Sequence, residues 1–278
     1  MFENIISQDA VITQLGREWR EGVLPRALLF YGEPYSGKLS TALELARVVT
    51  CKGNGEWGCS CRSCRQHRVM DHPYLVLTGS RFLGEEIAAA GDSLLRTRRE
   101  GSRFLFIRAL RKLTRRLDPL LWEGDEQRLK KVQKSLEELE DAVESLYPGR
   151  ELPAQEELSS LVEQITQLSE KIHEVIPKDN IPIHQIRSIG TWTHTTSAES
   201  AQVVILENAD RMSDGSKNAL LKMLEEPPDE TYFILLTSKK GAVIPTIISR
   251  LRQYRFVPRG EENSREVMRK IFRIDEEV

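Results

Sequence analysis

Four cysteines lie within fourteen residues of this chain, and the rest of the chain has none: Cys51, Cys59, Cys61 and Cys64. In an intracellular protein, such clustering points to metal binding before disulfides. Four thiolates suit a tetrahedral Zn²⁺ ion and leave it no open position, so we predict a structural zinc site. The pair Cys61 and Cys64 is a good half-site, whereas Cys59 and Cys61 are closely spaced. Free buried or redox-active thiols are the alternative.

Two histidines, His67 and His72, follow the cysteines and are spare nitrogen donors. A single histidine is more often a surface or capping residue than a metal ligand. We therefore do not include either in the predicted zinc site.

A second candidate site is the loop GEPYSGKL at residues 32–39, which fits the phosphate-binding pattern G-x4-G-K. An apolar run at 27–31 precedes it and a helical pattern follows, so backbone N–H groups and a helix N-terminus would cradle phosphates. Lys38 would reach the β and γ phosphates. The hydroxyl that should hold Mg²⁺ is missing because Leu39 takes its place. Ser40 is displaced by ~100° around the helix and replaces it poorly. The candidate nucleotide-binding residues in this loop are Gly32, Ser36, Gly37, Lys38, Leu39 and Ser40.

The run VVILENAD at 203–210 predicts a buried strand that ends where a nucleotide hydrolase carries its acidic residues. Active sites of this type place an Asp near Mg²⁺ and a Glu beside the attacking water. Here the two positions hold Glu207 and Asn208. Glu207 could touch a metal through its longer side chain, but Asn208 has no carboxylate to act as a base. Together with Leu39, these departures predict loss of hydrolysis, since phosphoryl transfer depends on metal and water positioning. Independent drift with activity retained is the alternative.

Strand and helix patterns alternate in the two parts of the chain that carry these motifs. Apolar runs predict strands at 27–31, 74–77, 203–206, 232–236 and 253–257, with helices at 8–21, 42–49, 219–224 and 244–251. Continuous apolar runs are typical of strands buried on both faces. We therefore predict an α/β fold with a parallel sheet flanked by helices.

Residues 81–180 have a different character. Heptad spacing runs through 129–146 and again through 158–175, with the breaker YPGRELP at 147–153 between them. The matched spacing predicts an antiparallel coiled-coil hairpin of two helices of equal length at about 125–176. Two separate amphipathic helices on a globular core are the alternative. A short apolar run at 104–107 fits a helix as well as a strand.

Charge in this middle stretch is divided. Residues 96–116 carry nine basic side chains against Glu100 alone, whereas acidic residues outnumber basic ones by 14 to 6 in 123–174. The basic stretch could follow a phosphate backbone, or it could neutralise the acidic helices beside it.

Composition sets broad limits on the protein. The chain has 278 residues, 40% of them hydrophobic, and a net charge of −2. This composition supports a core and does not by itself indicate nucleic acid or membrane binding. We find neither a membrane-spanning run nor a signal peptide, so the expectation is a cytoplasmic protein.

Several motifs together resemble a bacterial clamp-loader subunit of DNA polymerase III. These are FENIISQ at 2–8, RALLF at 26–30, HPY at 72–74, IHQIR at 183–187, ADRM at 209–212, NALLKMLEEPP at 218–228 and IPTIISRL at 244–251. The resemblance covers 1–80 and 181–278 and implies an AAA+ fold. The cysteine cluster is similar to the zinc module of that family, with shorter spacing.

Two subunit types share the pattern. The motor type, gamma or tau, keeps both nucleotide motifs, and the delta-prime type often loses them and serves as a rigid stator. The departures here favour the delta-prime type. Arg250 then resembles an arginine finger that reaches a neighbouring subunit's ATP site, with a surface ion pair as the alternative for this residue. Thr237 lies where the family places its sensor 1 residue. An active motor subunit and a scaffold whose hairpin recruits another partner are the alternatives.

The resemblance also implies partners and an organisation. The partners would be gamma or tau ATPase subunits, a delta-type subunit, the sliding clamp indirectly, and primed DNA. The expected cofactor is Zn²⁺; ATP or ADP could bind, and Mg²⁺ is not expected. Residues 1–80 and 181–257 would form the AAA+ domain, 81–180 a helical insertion, and 258–278 the start of a lid domain. The chain stops before the lid and collar are complete, which predicts a fragment or a subunit without a collar.

Overall fold

One parallel sheet organises the chain. The computed structural model describes residues 1–178, 180–195 and 201–271. In these ranges the sheet has five strands in the order β2-β3-β4-β1-β5, and every neighbouring pair is parallel. The strands are β1 Ala27–Gly32, β2 Leu75–Gly79, β3 Gln202–Glu207, β4 Thr231–Thr237 and β5 Arg252–Phe256. The predicted α/β parallel sheet is therefore confirmed, and the architecture is consistent with an AAA+ fold.

Alternate side chains along the strands pack into two separate hydrophobic cores, one on each face of the sheet. Leu28 and Phe30 pack on one face of the sheet, whereas Leu29 packs on the other. Val204 and Val203 divide in the same way, because successive side chains of a strand point to opposite faces. Both faces are covered, which explains the continuous apolar runs.

Helices cover both faces of this sheet. On the first face lie α1 Asp9–Arg20 and α2 Lys38–Val49. The second face is covered mainly by the helices of the middle segment and by those around β3 and β4. These are α4 Gly84–Thr97, α5 Glu100–Thr114, α7 Gln133–Ser145, α8 Gln155–His173, α9 Ile183–Thr195, α10 Asp214–Glu225 and α11 Pro245–Ile248. The short helices α3 Arg62–Arg68 and α6 Glu126–Lys130 and the near-terminal α12 Glu261–Lys270 complete the set in the described ranges.

The two heptad runs form helices, but the helices differ in length. α7 has 13 residues and α8 has 19, so the prediction of equal lengths is wrong. The chain turns at Lys131–Val132, which separates Leu129 on α6 from the rest of the first run. Heptad residues such as Leu139 and Ile165 are fully buried in the same core as the α4 and α5 side chains and one face of the sheet. The coiled-coil geometry of the two runs stays a prediction.

Two short segments, 104–107 and 244–251, were open to more than one secondary structure or were expected to be helical. The run at 104–107 is helical, as part of α5. The helix expected over 244–251 is only the four-residue α11, after which Ser249 and Arg250 continue in a turn. Among the described residues, none of the helices has both the length and the apolar character that crossing a bilayer requires.

The shared core predicts that Ile165→Ala destabilises the whole molecule. Ile165 is fully buried on α8 in the core that includes the sheet. We expect the free energy of unfolding to fall by about 2–5 kcal/mol, and one cooperative transition to remain. Circular dichroism and tryptophan fluorescence during urea unfolding would measure both.

The control is Gln164→Ala, an exposed neighbour on the same helix, which should change little. Two separate transitions, with only the first shifted by Ile165→Ala, would show instead that the helices fold independently of the sheet.

Candidate functional site

The carboxyl ends of the strands bring the predicted nucleotide residues to one edge of the sheet. Glu207, at the end of β3, is paired in register with Gly79 of β2 and Leu236 of β4. Thr237, at the end of β4, is paired with Tyr31 of β1. Parallel α/β proteins bind ligands in the crevice at this edge.

The predicted phosphate-binding loop between β1 and α2 has positive φ angles at its two glycines, Gly32 and Gly37. Gly37 has a φ of +94°, and a Cβ there would lie 2.7 Å from Nη2 of Arg259. The same arginine donates through Nη1 to the carbonyl oxygen of Tyr35 at 2.7 Å. The Arg259 guanidinium, from the segment after β5, therefore lies against the loop.

The predicted phosphate ligand Lys38 binds its own loop. Its Nζ donates to the carbonyl oxygens of Gly32 at 2.7 Å and Glu33 at 2.5 Å, and to Oγ of Ser36 at 3.2 Å. Burial, assisted by Arg81, lowers the pKa of Lys38 to about 8, although Glu33 opposes this shift.

No hydroxyl of the loop takes the metal position that Leu39 vacates. Leu39 is buried in the core on the α1 side of the sheet, and Ser40 is exposed. The next hydroxyl, of Thr41, donates to the carbonyl oxygen of Gly37 at 3.0 Å. The position where the sequence pattern expects a hydroxyl is therefore occupied by a core side chain, Leu39.

The Glu207 carboxylate is held by two arginines. Arg116 Nη2 donates to Oε2, and Arg81 Nη1 lies 3.6 Å from Oε1. Glu207 and Arg116 are only 5% and 2% exposed. Both carboxylate oxygens therefore face cations of the chain itself, which is a poor environment for a further divalent cation.

The two polar residues beside Glu207 are also engaged. Asn208, in the left-handed backbone region, donates through Nδ2 to Oγ of Ser80 at 3.4 Å. Thr237 Oγ1 donates to Oδ1 of Asp210 at 2.5 Å and accepts from the N–H of Lys239 at 2.9 Å. Leu39, Asn208 and the arginine-bound Glu207 do not fit a magnesium nucleotide.

Arg250 lies away from this crevice, on the turn after α11. Its Nη2 donates to Oε1 of Glu225 at 2.7 Å, and Nη1 donates to the carbonyl oxygen of Thr246 at 2.8 Å. The side chain is 34% exposed. Arg250 is thus oriented at the surface by the end of α10.

The four cysteines converge between α2 and α3. All four Sγ atoms lie within 4.8 Å of one another, and those of Cys51 and Cys59 are 3.6 Å apart. A tetrahedral ion with Zn–S bonds of about 2.3 Å requires S···S separations of about 3.8 Å. The residues therefore fit a four-cysteine zinc site despite the tight spacing of Cys59 and Cys61, and they would hold the ion with no open position.

Donors surround the sulfur atoms. Backbone N–H groups of Gly53 and Cys64 point at the sulfurs of Cys51 and Cys61 at 3.3 and 3.4 Å. Although burial opposes it, backbone N–H groups of Cys64 and Lys52 lower the pKa of Cys61 to about 6. Such donors stabilise thiolates, the form that binds metal.

Arg47 of α2 ties the cysteine loop to the domain. It is 4% exposed and pairs with Glu44 through two hydrogen bonds of 2.9 and 2.7 Å. It also donates to the carbonyl oxygens of Gly55 and Glu56 and to Sγ of Cys64 at 3.1 Å. The loop is therefore shaped by a buried cation as well as by the cysteines.

The two nearby histidines are buried outside the sulfur cluster. Their rings stack with centroids 4.2 Å apart. His67 Nε2 lies 2.8 Å from Oγ1 of Thr50, and His72 Nε2 lies 3.1 Å from Oγ of Ser63. Burial first, and then the charge of Arg115, lowers the pKa of His72 to about 4.

The basic stretch at 96–116 is used mostly inside the molecule. Arg108 donates to the carbonyl oxygens of His67 and Arg68 at the end of α3, both at 3.0 Å. Arg115 binds the carbonyl oxygen of Met70 at 2.9 Å, and only Arg111 pairs with the acidic α7, through Glu140. Arg96, Arg98 and Arg99 remain exposed. The stretch therefore joins the helices to the cysteine module and to Glu207.

Sequence reasoning missed Arg81, Arg116 and Arg259. The signal for Arg116 was present in the count of basic residues, but charge alone names no partner. Arg81 and Arg259 are single arginines outside that stretch, and no motif marked them.

Comparison with known families decides the relationship. The family model described as DNA polymerase III, delta subunit, matches residues 7–107 and 132–259. The chain belongs to this family. Residues 108–131, which include Arg116, lie between the two matched ranges of the delta subunit family.

Curated relatives carry related names. DNA polymerase III subunit delta' of Haemophilus influenzae is 32% identical over 93 residues, which are 32% of this chain and 28% of the relative. The Escherichia coli delta' subunit is 42% identical over 62 residues, 22% of this chain and 19% of the relative. Subunit tau of Bacillus subtilis is 37% identical over 84 residues, 30% of this chain and 15% of the relative. The chain thus spans less than a third of these relatives.

One solved structure is also similar in sequence. A gamma subunit-related protein from Thermotoga maritima is 31% identical, over 33% of this chain and 31% of that one, with a TM-score of 0.29.

The sulfur cluster predicts one zinc ion per chain, lost in Cys64→Ser. Removal of a fourth ligand should lower the zinc content and the melting temperature by about 10 °C or more, because the metal holds the loop. Metal analysis and thermal unfolding would measure this.

His67→Asn is the control, since His67 lies outside the cluster and should leave the zinc content unchanged. Full reaction of four thiols with a thiol reagent in the native protein as purified, without metal release, would contradict the prediction.

The buried His72 predicts a loss of stability in acid. The unfolded chain binds a proton near pH 6.5, whereas the native state does so only near pH 4. Stability is therefore complete above about pH 6.5 and falls as the pH drops towards 4, by about 2 kcal/mol at pH 5. Denaturant titrations of the wild type and His72→Asn from pH 7 to 4 should show a smaller loss in the variant.

Both proteins carry the same four cysteines, so acid release of a metal affects them alike. The exposed His194→Asn is the control and should keep the wild-type profile. Equal profiles for the wild type and His72→Asn would refute the assignment.

Proposed function

We propose that the chain is a clamp-loader subunit of DNA polymerase III of the delta-prime type. In this proposal it does not hydrolyse ATP, and it supplies Arg250 in trans to a neighbouring ATPase subunit while the sliding clamp is loaded onto primed DNA. Family membership supports the clamp-loader assignment. The observation that carries the non-hydrolysing role is the pairing of Glu207 with Arg116 and Arg81.

The proposed partners follow from this role. They are gamma or tau ATPase subunits and a delta-type subunit, with the sliding clamp contacted indirectly. Relatives named delta', tau and gamma/tau support a place among such subunits. In the proposed organisation, 1–80 and 181–257 form the AAA+ domain and carry the zinc module, 81–180 is a helical insertion, and 258–278 begins a lid.

The surroundings of Arg250 are compatible with action on another subunit. The guanidinium is partly exposed, and its ion pair with Glu225 lies at the surface. Exposed ion pairs contribute about 0–1 kcal/mol, so a competing phosphate could displace Glu225 at little cost. A guanidinium placed beside the transferred phosphoryl group would stabilise its developing negative charge.

The motor alternative finds less support. It would need the Glu207 carboxylate for a metal and a base at Asn208. Neither is offered by the arrangement at the sheet edge, and Lys38 is engaged with its own loop.

Arg250→Ala tests the proposal. The wild-type chain alone should show no ATP turnover, and it should raise the turnover of a motor subunit in the presence of primed DNA. Arg250→Ala should lose that stimulation by about 10-fold or more, since arginine fingers contribute ~10³–10⁵ where measured on GTPases. Steady-state phosphate release would measure it.

Arg255→Ala, an exposed arginine on β5, is the matched control and should stimulate like the wild type. Binding of each variant to the motor subunit should be measured in parallel. Turnover by the chain alone that Lys38→Ala abolishes would refute the proposal.

A further inference from the structure

The pairing of Arg116 with Glu207 joins two distant parts of the chain. Arg116 lies on the 3-10 turn Arg115–Leu117 after α5, and Glu207 lies 91 residues later at the end of β3. Removing either partner from such a buried pair leaves an uncompensated charge. The two groups therefore depend on each other for their burial.

Arg116 is held in place by its own segment. Its Nη1 donates to the carbonyl oxygen of Lys112 one turn earlier. Its carbonyl oxygen accepts a hydrogen bond of 2.8 Å from Nε1 of Trp122, a side chain only 1% exposed. The guanidinium is thus aimed at Glu207 by a packed and hydrogen-bonded turn.

The pair is part of a cluster of three cations and two carboxylates. Arg81 bridges Glu207 at 3.6 Å and Glu86 at 3.0 Å, and Lys112 also pairs with Glu86. Although burial opposes it, Lys112 and Arg81 lower the pKa of Glu86. The cluster already carries one excess positive charge, and an added divalent cation would be repelled at short range.

The same strand end is where an active nucleotide site of this fold holds its metal through an acidic side chain. Here the residue after Lys38 is Leu39, which has no hydroxyl and lies in the core. The guanidinium of Arg116 supplies the positive charge that Glu207 requires. The Arg116 side chain reaches Glu207 from the turn after α5 and is itself buried.

We propose that Arg116, assisted by Arg81, is a built-in replacement for the divalent cation at Glu207. The segment after α5 thereby closes the nucleotide edge of the sheet and keeps it in one shape without metal. Arg116 lies in 108–131, between the two ranges matched by the family model. This replacement deepens the non-hydrolysing role proposed above and rests on it for the assignment of this edge as a nucleotide site.

A double-mutant cycle on the full chain tests the device. Arg116→Met and Glu207→Gln should each lower the melting temperature by about 10 °C. The first leaves Glu207 with only the more distant Arg81, and the second leaves the buried Arg116 without its carboxylate partner. The double variant should lose no more than either single variant, because neither charge then remains unpaired. Additive losses would overturn the proposal, since the two groups would then act independently.

Arg111 lies on α5, just before the turn that carries Arg116, and it pairs with Glu140 rather than with Glu207. The matched control is therefore Arg111→Met. Combined with Glu207→Gln it should give additive shifts. Coupling of the same size there would overturn the specific role of Arg116.

A second measurement needs no variant and remains valid if Arg116→Met fails to fold. Electron paramagnetic resonance of Mn²⁺ should show no binding to the wild-type chain at millimolar metal, with or without ADP, and Mg²⁺ with ADP should leave its melting temperature unchanged. Mn²⁺ binding that Glu207→Gln abolishes would overturn the proposal, because the carboxylate would then be open to a metal.

Discussion

A carboxylate buried at the end of a central strand must have a positive partner, and much of this structure follows from how Glu207 is given one. The partner is Arg116, which can reach β3 only because α5 packs across the sheet and the turn after it is locked by Trp122. The helical segment is therefore bound to the sheet by charge as well as by apolar packing.

The cysteine module is attached to the same helices by the same kind of interaction. Arg108 and Arg115 of α5 and the following turn donate to the last carbonyl groups around α3. His67 and Arg68 are the last two residues of α3, and carbonyl oxygens at the C-terminus of a helix accept cationic donors readily. Arg47 performs the corresponding task from α2. The module is thus set between two helices and tied to each by buried guanidinium groups.

Three of the candidate nucleotide-binding residues share one feature, which is that each is already engaged within the chain. Each position that would change with a bound nucleotide, at Lys38, Glu207 and Thr237, already has a partner in the chain. Arg250 differs, since its ion pair with Glu225 lies at the surface, where such pairs contribute little to stability.

The sequence was enough to predict the five strands, the glycine-bearing loop between β1 and α2 and the four clustered cysteines, because these depend on local periodicity and on residue chemistry at short spacing. It also revealed the losses at Leu39 and Asn208, since a missing hydroxyl or carboxylate is visible without a fold. The break between α6 and α7 and the unequal lengths of α7 and α8 were not predictable from heptad spacing, which does not register where the chain turns. That Arg116 meets Glu207 and Arg250 meets Glu225 is visible only in the folded chain. A sequence states how many charges there are, but the partner of a buried charge is chosen by which elements pack together.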